Sequence, residues 1–77
     1  MDLQQFVTSF ESAVDGIEPG SLTPTTAFRS EIEVWDSLAA LSVLAMIDAE
    51  YDISIKANDF IACVTIQDVF NLVVAAV

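Results

Sequence analysis

The sequence predicts an all-α fold: a small bundle of three principal helices and one short helix, with a long loop between the first and second helices. Three observations predict it. Apolar residues recur at three- and four-residue spacing toward both ends of the chain. Capping residues Asp2, Asp36 and Thr65 stand at the head of the principal apolar segments. The breakers Gly16, Pro19, Gly20 and Pro24 fall in one stretch between the first two segments.

The first helix is expected from about Asp2 to Asp15. Asp2 is a good N-cap, with Gln5 three residues on as in a capping box. Leu3, Phe6, Val7, Phe10 and Val14 form its apolar face, and Gly16 is the expected stop. An irregular segment follows from Gly16 to about Trp35. A loop of that length must be pinned by its own side chains or serve a function; Leu22, Phe28, Ile32 and Trp35 are the candidate pins.

Asp36 caps the second helix, which makes Ser37 its first residue and places its end near Tyr51 or Asp52. Ala40, Val43, Leu44, Ile47 and Tyr51 share one arc, the expected core face. Leu38, Leu41 and Ala45 lie beside that arc and widen the apolar stripe, either as core overspill or as a docking surface or cleft wall. Ile53-Ser54-Ile55 reads as an extended connector, and Ala57 to Ala62 as one or two helical turns. Thr65 caps the last helix, with Asp68 completing a capping box. Its expected buried face is Ile66, Val69, Phe70, Val73 and Val74, running to the C-terminus. The β-branched tail is also compatible with a strand, but the spacing and the cap favour a helix.

At 77 residues the chain, 1–77, is expected to form a single domain with a thin core. Its hydrophobic fraction is 55% and its mean hydropathy +0.61. The apolar uncharged stretches Ser37 to Ile47, Phe60 to Gln67 and Val69 to Val77 fall short of the ~18–20 apolar residues of a spanning helix. No basic stretch precedes an apolar run at the N-terminus, so no signal peptide is expected. The expectation is a soluble, cytoplasmic monomer.

Twelve acidic residues against Arg29 and Lys56 leave a net charge of −10. That disfavours nucleic acid and anionic membranes, both of which demand surplus Lys and Arg. It suits protein partners with basic patches, and it also keeps an apolar small domain in solution. Mutual repulsion should make the chain more stable in salt. Glu31, Glu33 and Asp36, or Asp48, Glu50 and Asp52, are loose sites for divalent cations, with no structural metal expected. The chain has no His, which excludes Ser–His and Cys–His nucleophile pairs. Cys63 stands alone in the apolar run Phe60 to Val64 and reads as a small buried hydrophobe. The chain is not expected to be an enzyme.

Trp35-Asp36-Ser37-Leu38-Ala39-Ala40-Leu41 resembles the attachment site of acyl and peptidyl carrier proteins, whose signature is Asp-Ser-Leu at the start of the second helix. The similarity extends downstream through Glu50-Tyr51-Asp52-Ile53-Ser54-Ile55 and Val64-Thr65-Ile66-Gln67-Asp68-Val69. Upstream it includes Leu22-Thr23 through Ala27-Phe28. The resemblance implies covalent 4'-phosphopantetheine on Ser37, flanked by Asp36 and Leu38, installed by a phosphopantetheinyl transferase. It further implies thioester cargo and the second helix as the recognition surface, with Leu41, Ala45, Asp48 and Glu50 touching partner enzymes. Those partners would be acyl- or aminoacyl-ligases and acyltransferases or synthases. Ser37 fits physically, because the cap puts it at the positive end of a helix where a phosphodiester is stabilised.

Departures from the family pattern narrow this expectation. Where fatty-acid carriers usually have acids just after the serine, this chain has Ala39, Ala40 and Ser42, and acids return only at Asp48 and Glu50. Glu31-Ile32-Glu33-Val34-Trp35 replaces the usual acidic Leu-Gly approach, and the run from Phe28 to Ser37 is one residue longer than common. Together they suggest a dedicated carrier in a specialised acyl pathway rather than a housekeeping fatty-acid carrier. An aminoacyl or peptidyl carrier loaded by an adenylating ligase is the alternative; an unmodified helical adaptor is a third, remote reading. A wide apolar cleft beside Leu38 and Leu41 would favour a sequestered fatty chain, and a closed bundle would favour polar cargo.

Overall fold

The computed structural model describes residues 2–76 and contains five helices: α1 (Leu3–Ala13), α2 (Phe28–Glu31), α3 (Ser37–Tyr51), α4 (Ala57–Ile61) and α5 (Ile66–Ala76). The three principal helices and the short α4 are the expected ones, while α2 is a single extra turn inside the long loop. The expected last residue of the final helix lies outside the described residues. α1 packs against both α3 and α5.

The Asp2 carboxylate caps α1 by accepting the Gln4 amide at 3.1 Å. Phe6, Val7 and Phe10 are fully buried on its inner face, with Leu3 half-buried. The helix ends at Ala13, before the expected Asp15, because Val14 turns to an extended backbone (φ −107°, ψ 119°) that keeps its side chain in the core. Gly16, at φ +91°, therefore shapes the loop after the helix rather than terminating it.

The loop is held by two devices that local pattern does not reveal. Glu11 lies within the apolar stripe of α1 and is buried, yet both of its carboxylate oxygens are satisfied. Oε1 accepts the Gly20 amide at 3.0 Å and Oε2 accepts the Leu22 amide at 2.9 Å. Further on, the Ile66 and Gln67 amides donate to the carbonyls of Thr26 (3.2 Å) and Pro24 (2.9 Å), beside a single antiparallel bridge from Ala27 to Thr65. The loop thereby accepts amides that the first turn of α5 would otherwise leave unpaired. α2 follows, with the Glu31 carboxylate accepting the Ala27 amide at 2.7 Å. The expected pins all turn inward: Phe28 and Ile32 are buried, Leu22 and Trp35 half-buried.

α3 begins and ends where the sequence predicts. Asp36 is its N-cap, and Asp52 closes it in the left-handed region at φ 56°, donating its amide to the Asp48 carbonyl at 3.0 Å. The buried face is rotated from expectation: Ala39, Val43, Met46 and Ile47 are buried, while Ala40, Leu44 and Tyr51 are only half-buried. Residues 38–47 are apolar on almost every side of the helix, so periodicity carries little direction and the contact with α1 selects the face.

The capping box of α5 forms reciprocally. Thr65 Oγ1 accepts the Asp68 amide at 3.2 Å, and Asp68 Oδ2 accepts the amides of Thr65 and Val64, each at 3.0 Å. Those two amides hold the Asp68 carboxyl below the usual carboxylate range. Ile66, Val69 and Val73 are fully buried and Phe70 partly so, but Val74, expected in the core, is 49% exposed. It sits about 100° round the helix from Val73, past the edge of the buried stripe.

Candidate functional site

The head of α3 is built by Asp36. Its Oδ1 accepts the Ala39 amide at 2.8 Å, and its carbonyl accepts the Ala40 amide at 3.1 Å. The amides of Ser37 and Leu38 make no hydrogen bond among the described residues, so two free N–H groups lie beside the exposed Ser37 hydroxyl at the positive end of a 15-residue helix. Ser37 has no His in the chain to activate it. This geometry stabilises an anion attached to Ser37 but does not make the serine a nucleophile in its own right.

Leu38 and Leu41 are 69% and 63% exposed, and Ala45 and Asp48 are exposed as well. Their spacing of three, four and three residues puts the four on one outward stripe running from the serine. Glu50 does not join them. It accepts a hydrogen bond from the Ser9 hydroxyl of α1 at 3.1 Å and so lies on another side of the helix.

Two surface cavities lie along the end of α1 and the loop, the smaller reaching the head of α3. One, of about 160 Å³, is lined by Val14, Asp15, Val34, Asp36, Leu38 and Ser42, among others. The other, of about 320 Å³, lies along the loop, where Ile17, Leu22, Ile32 and Val34 meet Glu18 and Ser21. Val34, which sequence reasoning did not single out, lines both and is 46% exposed. Its place two residues after Ile32 in the Glu-Ile-Glu-Val alternation was the available signal.

On the α4 side the interior is filled by rings. Trp35 stacks on Phe10 (5.9 Å between centroids) and on Phe60 (6.3 Å), and meets Phe28 at 4.8 Å. Arg29 covers this cluster. Its guanidinium donates to the Cys63 carbonyl and, at 2.8 Å, to the Phe60 carbonyl, and lies 4.9 Å from the Phe28 ring centre. One of the two cations is thus a clasp on the end of α4. Cys63 is buried as expected, its thiol donating to the Asp59 carbonyl at 3.5 Å; burial, then the Asp68 carboxylate, pushes its pKa up. Among the described residues no group of three or more Cys, Asp or Glu side chains converges to hold a metal ion. Nor is any helix among them long and apolar enough to cross a membrane.

The family described as "phosphopantetheine attachment site" matches residues 5–73. Comparison with curated proteins and with solved structures gave no match.

Proposed function

This chain belongs to the phosphopantetheine attachment site family, and from that premise we propose that Ser37 is the serine that carries the cofactor. Members of the family are non-catalytic carriers modified by a phosphopantetheinyl transferase, so the chain is a carrier protein whose cofactor is covalent 4'-phosphopantetheine. The observation that carries the choice of Ser37 is its place: exposed, first in α3, between two amides without acceptors and the Asp36 cap. Ser9, Ser21 and Ser30 are engaged with Glu50, the Glu18 carbonyl and the Ala27 carbonyl, and no serine besides Ser37 is the first residue of a helix.

In the modification the Ser37 Oγ forms a bond to phosphorus, the bond from that phosphorus to the nucleotide half of coenzyme A breaks, and the serine proton passes to the transferase. The Ser37 and Leu38 amides would stabilise the phosphodiester, while Asp36 holds the helix head through the Ala39 amide. Once attached, the arm supplies a terminal thiol that holds cargo as a thioester. Leu38, Leu41, Ala45 and Asp48 offer partner enzymes a stripe that is apolar near the serine and acidic only further along.

The cargo in this reading is an acyl group of a specialised pathway, handled in the cytoplasm by a monomer in which residues 1–77 form one carrier domain. One observation favours the aminoacyl alternative. The cavity beside Leu38 is small and bears the Asp15 and Asp36 carboxylates, and Leu41 stands outward rather than lining a cleft.

Intact mass after incubation with coenzyme A and a broad-specificity phosphopantetheinyl transferase tests the assignment of Ser37. Wild type should gain one phosphopantetheine and Ser37→Ala none. An increment that survives Ser37→Ala would overturn it. Incubating the holo form with an adenylating ligase and amino acids, or with an acyl ligase and carboxylic acids, separates the two cargo classes.

A further inference from the structure

Resting on the Ser37 assignment, we infer that the trough along the end of α1 and the following loop, centred on Val34, is the resting groove for the phosphopantetheine arm. Two directions in which the arm can fold back from the head of α3 differ sharply in packing. Toward α4 it meets Trp35 packed among Phe10, Phe28 and Phe60, with Arg29 clasped over the cluster. Interiors packed this way admit no chain without displacing rings. Toward the loop it meets open space. The cavity of about 160 Å³ takes in Asp36 and Leu38, the chain neighbours of Ser37, and Val34 lines both it and the cavity of about 320 Å³ along the loop.

The chemistry of the trough matches the arm. Val14, Val34 and Leu38 present apolar walls to the arm's methyl and methylene groups. Asp15 and Ser42 on the near rim, and Ser21 on the far one, are acceptors for its two amide N–H groups. The floor is fixed: Glu11 anchors the loop at Gly20 and Leu22. A Cβ placed on Gly16 would stand 3.4 Å from a Val34 methyl, so the side chain of Val34 rests against the backbone there. Proximity to Ser37 names the occupant, because its chain neighbours Asp36 and Leu38 line the nearer cavity and a group tethered to that serine meets it first.

The test compares amide chemical shifts of the uniformly nitrogen-labelled chain before and after modification, with mass spectrometry confirming the increment. Shifts are expected at Ser37 to Ala39 and also at Gly16, Ile17 and Val34. The variant Val34→Asp, at an exposed position, should take up the arm normally while the Gly16 and Ile17 shifts fall at least twofold. Shifts confined to the first turn of α3, or spreading instead to Phe60 and Ile61, would overturn the inference, as would Gly16 and Ile17 shifts unchanged in Val34→Asp. Absence of any mass increment on wild type would overturn the carrier reading itself and this inference with it, which separates the two failures.

Discussion

The buried carboxylate of Glu11 in α1 accepts the backbone amide of Leu22, eleven residues along the chain, at 2.9 Å. Its other oxygen takes the Gly20 amide, so one side chain anchors the first half of the loop that leads to Ser37. Replacing it with Ala strands two part-buried amides, each costing about 1–3 kcal/mol if left dry, with partial rehydration expected. Glu11→Ala should lose about 2–3 kcal/mol in urea unfolding, and Glu11→Gln about half as much, since the amide keeps one acceptor. A loss under about 0.5 kcal/mol would show that the loop does not depend on the anchor.

Asp36 caps α3 through the Ala39 amide. Asp36→Ala should destabilise the chain by about 1 kcal/mol, with Asp36→Asn close to wild type. If the cap also presents Ser37, phosphopantetheinyl transfer to Asp36→Ala should slow more than the fraction unfolded explains. Thermal melts and initial rates of the mass increment measure the two separately.

Arg29 joins the loop to α4 through the Phe60 and Cys63 carbonyls and the face of Phe28. Arg29→Met should cost about 1–2 kcal/mol, and Arg29→Lys should recover less than half, because an ammonium cannot bridge two carbonyls while lying flat on a ring. Trp35, the only tryptophan, reports the change: its emission should shift to the red in Arg29→Met as the cluster loosens.

Asp68 has its pKa held down in the folded chain, chiefly by the Thr65 amide and then that of Val64. A depressed carboxylate stabilises the fold above its unfolded pKa, and that contribution disappears as the pH falls through the lower, folded value. Between about pH 5 and about pH 2 the wild-type melting temperature should fall more steeply than that of Asp68→Asn. Parallel curves would show that the capping box carries no pH dependence.

With a net charge of −10 and Arg29 committed to carbonyls, the surface acids repel one another. Raising ionic strength from ~0.01 M to ~0.15 M shortens the screening length from ~30 Å to ~8 Å and should raise the melting temperature by several degrees at neutral pH. A melting temperature indifferent to salt would mean the repulsion is unimportant.

Local interactions were legible in the sequence because their donors and acceptors lie three or four residues apart. The Asp36 cap, the start of α3 at Ser37, its close at Asp52 and the Thr65–Asp68 box all depend on near neighbours and all form. The apolar face of α1 was equally legible, since a strong periodicity points in one direction. Three features belong to the tertiary structure alone. The buried face of α3 moved to Ala39 and Met46 because an almost uniformly apolar helix takes its orientation from what it packs against. Glu11 became a loop anchor only because residues 20–22 fold back over α1, a long-range closure that no local pattern encodes. Val34 came to line two cavities for the same reason: surface shape is set by segments that meet in space, and their separation along the chain hides the meeting.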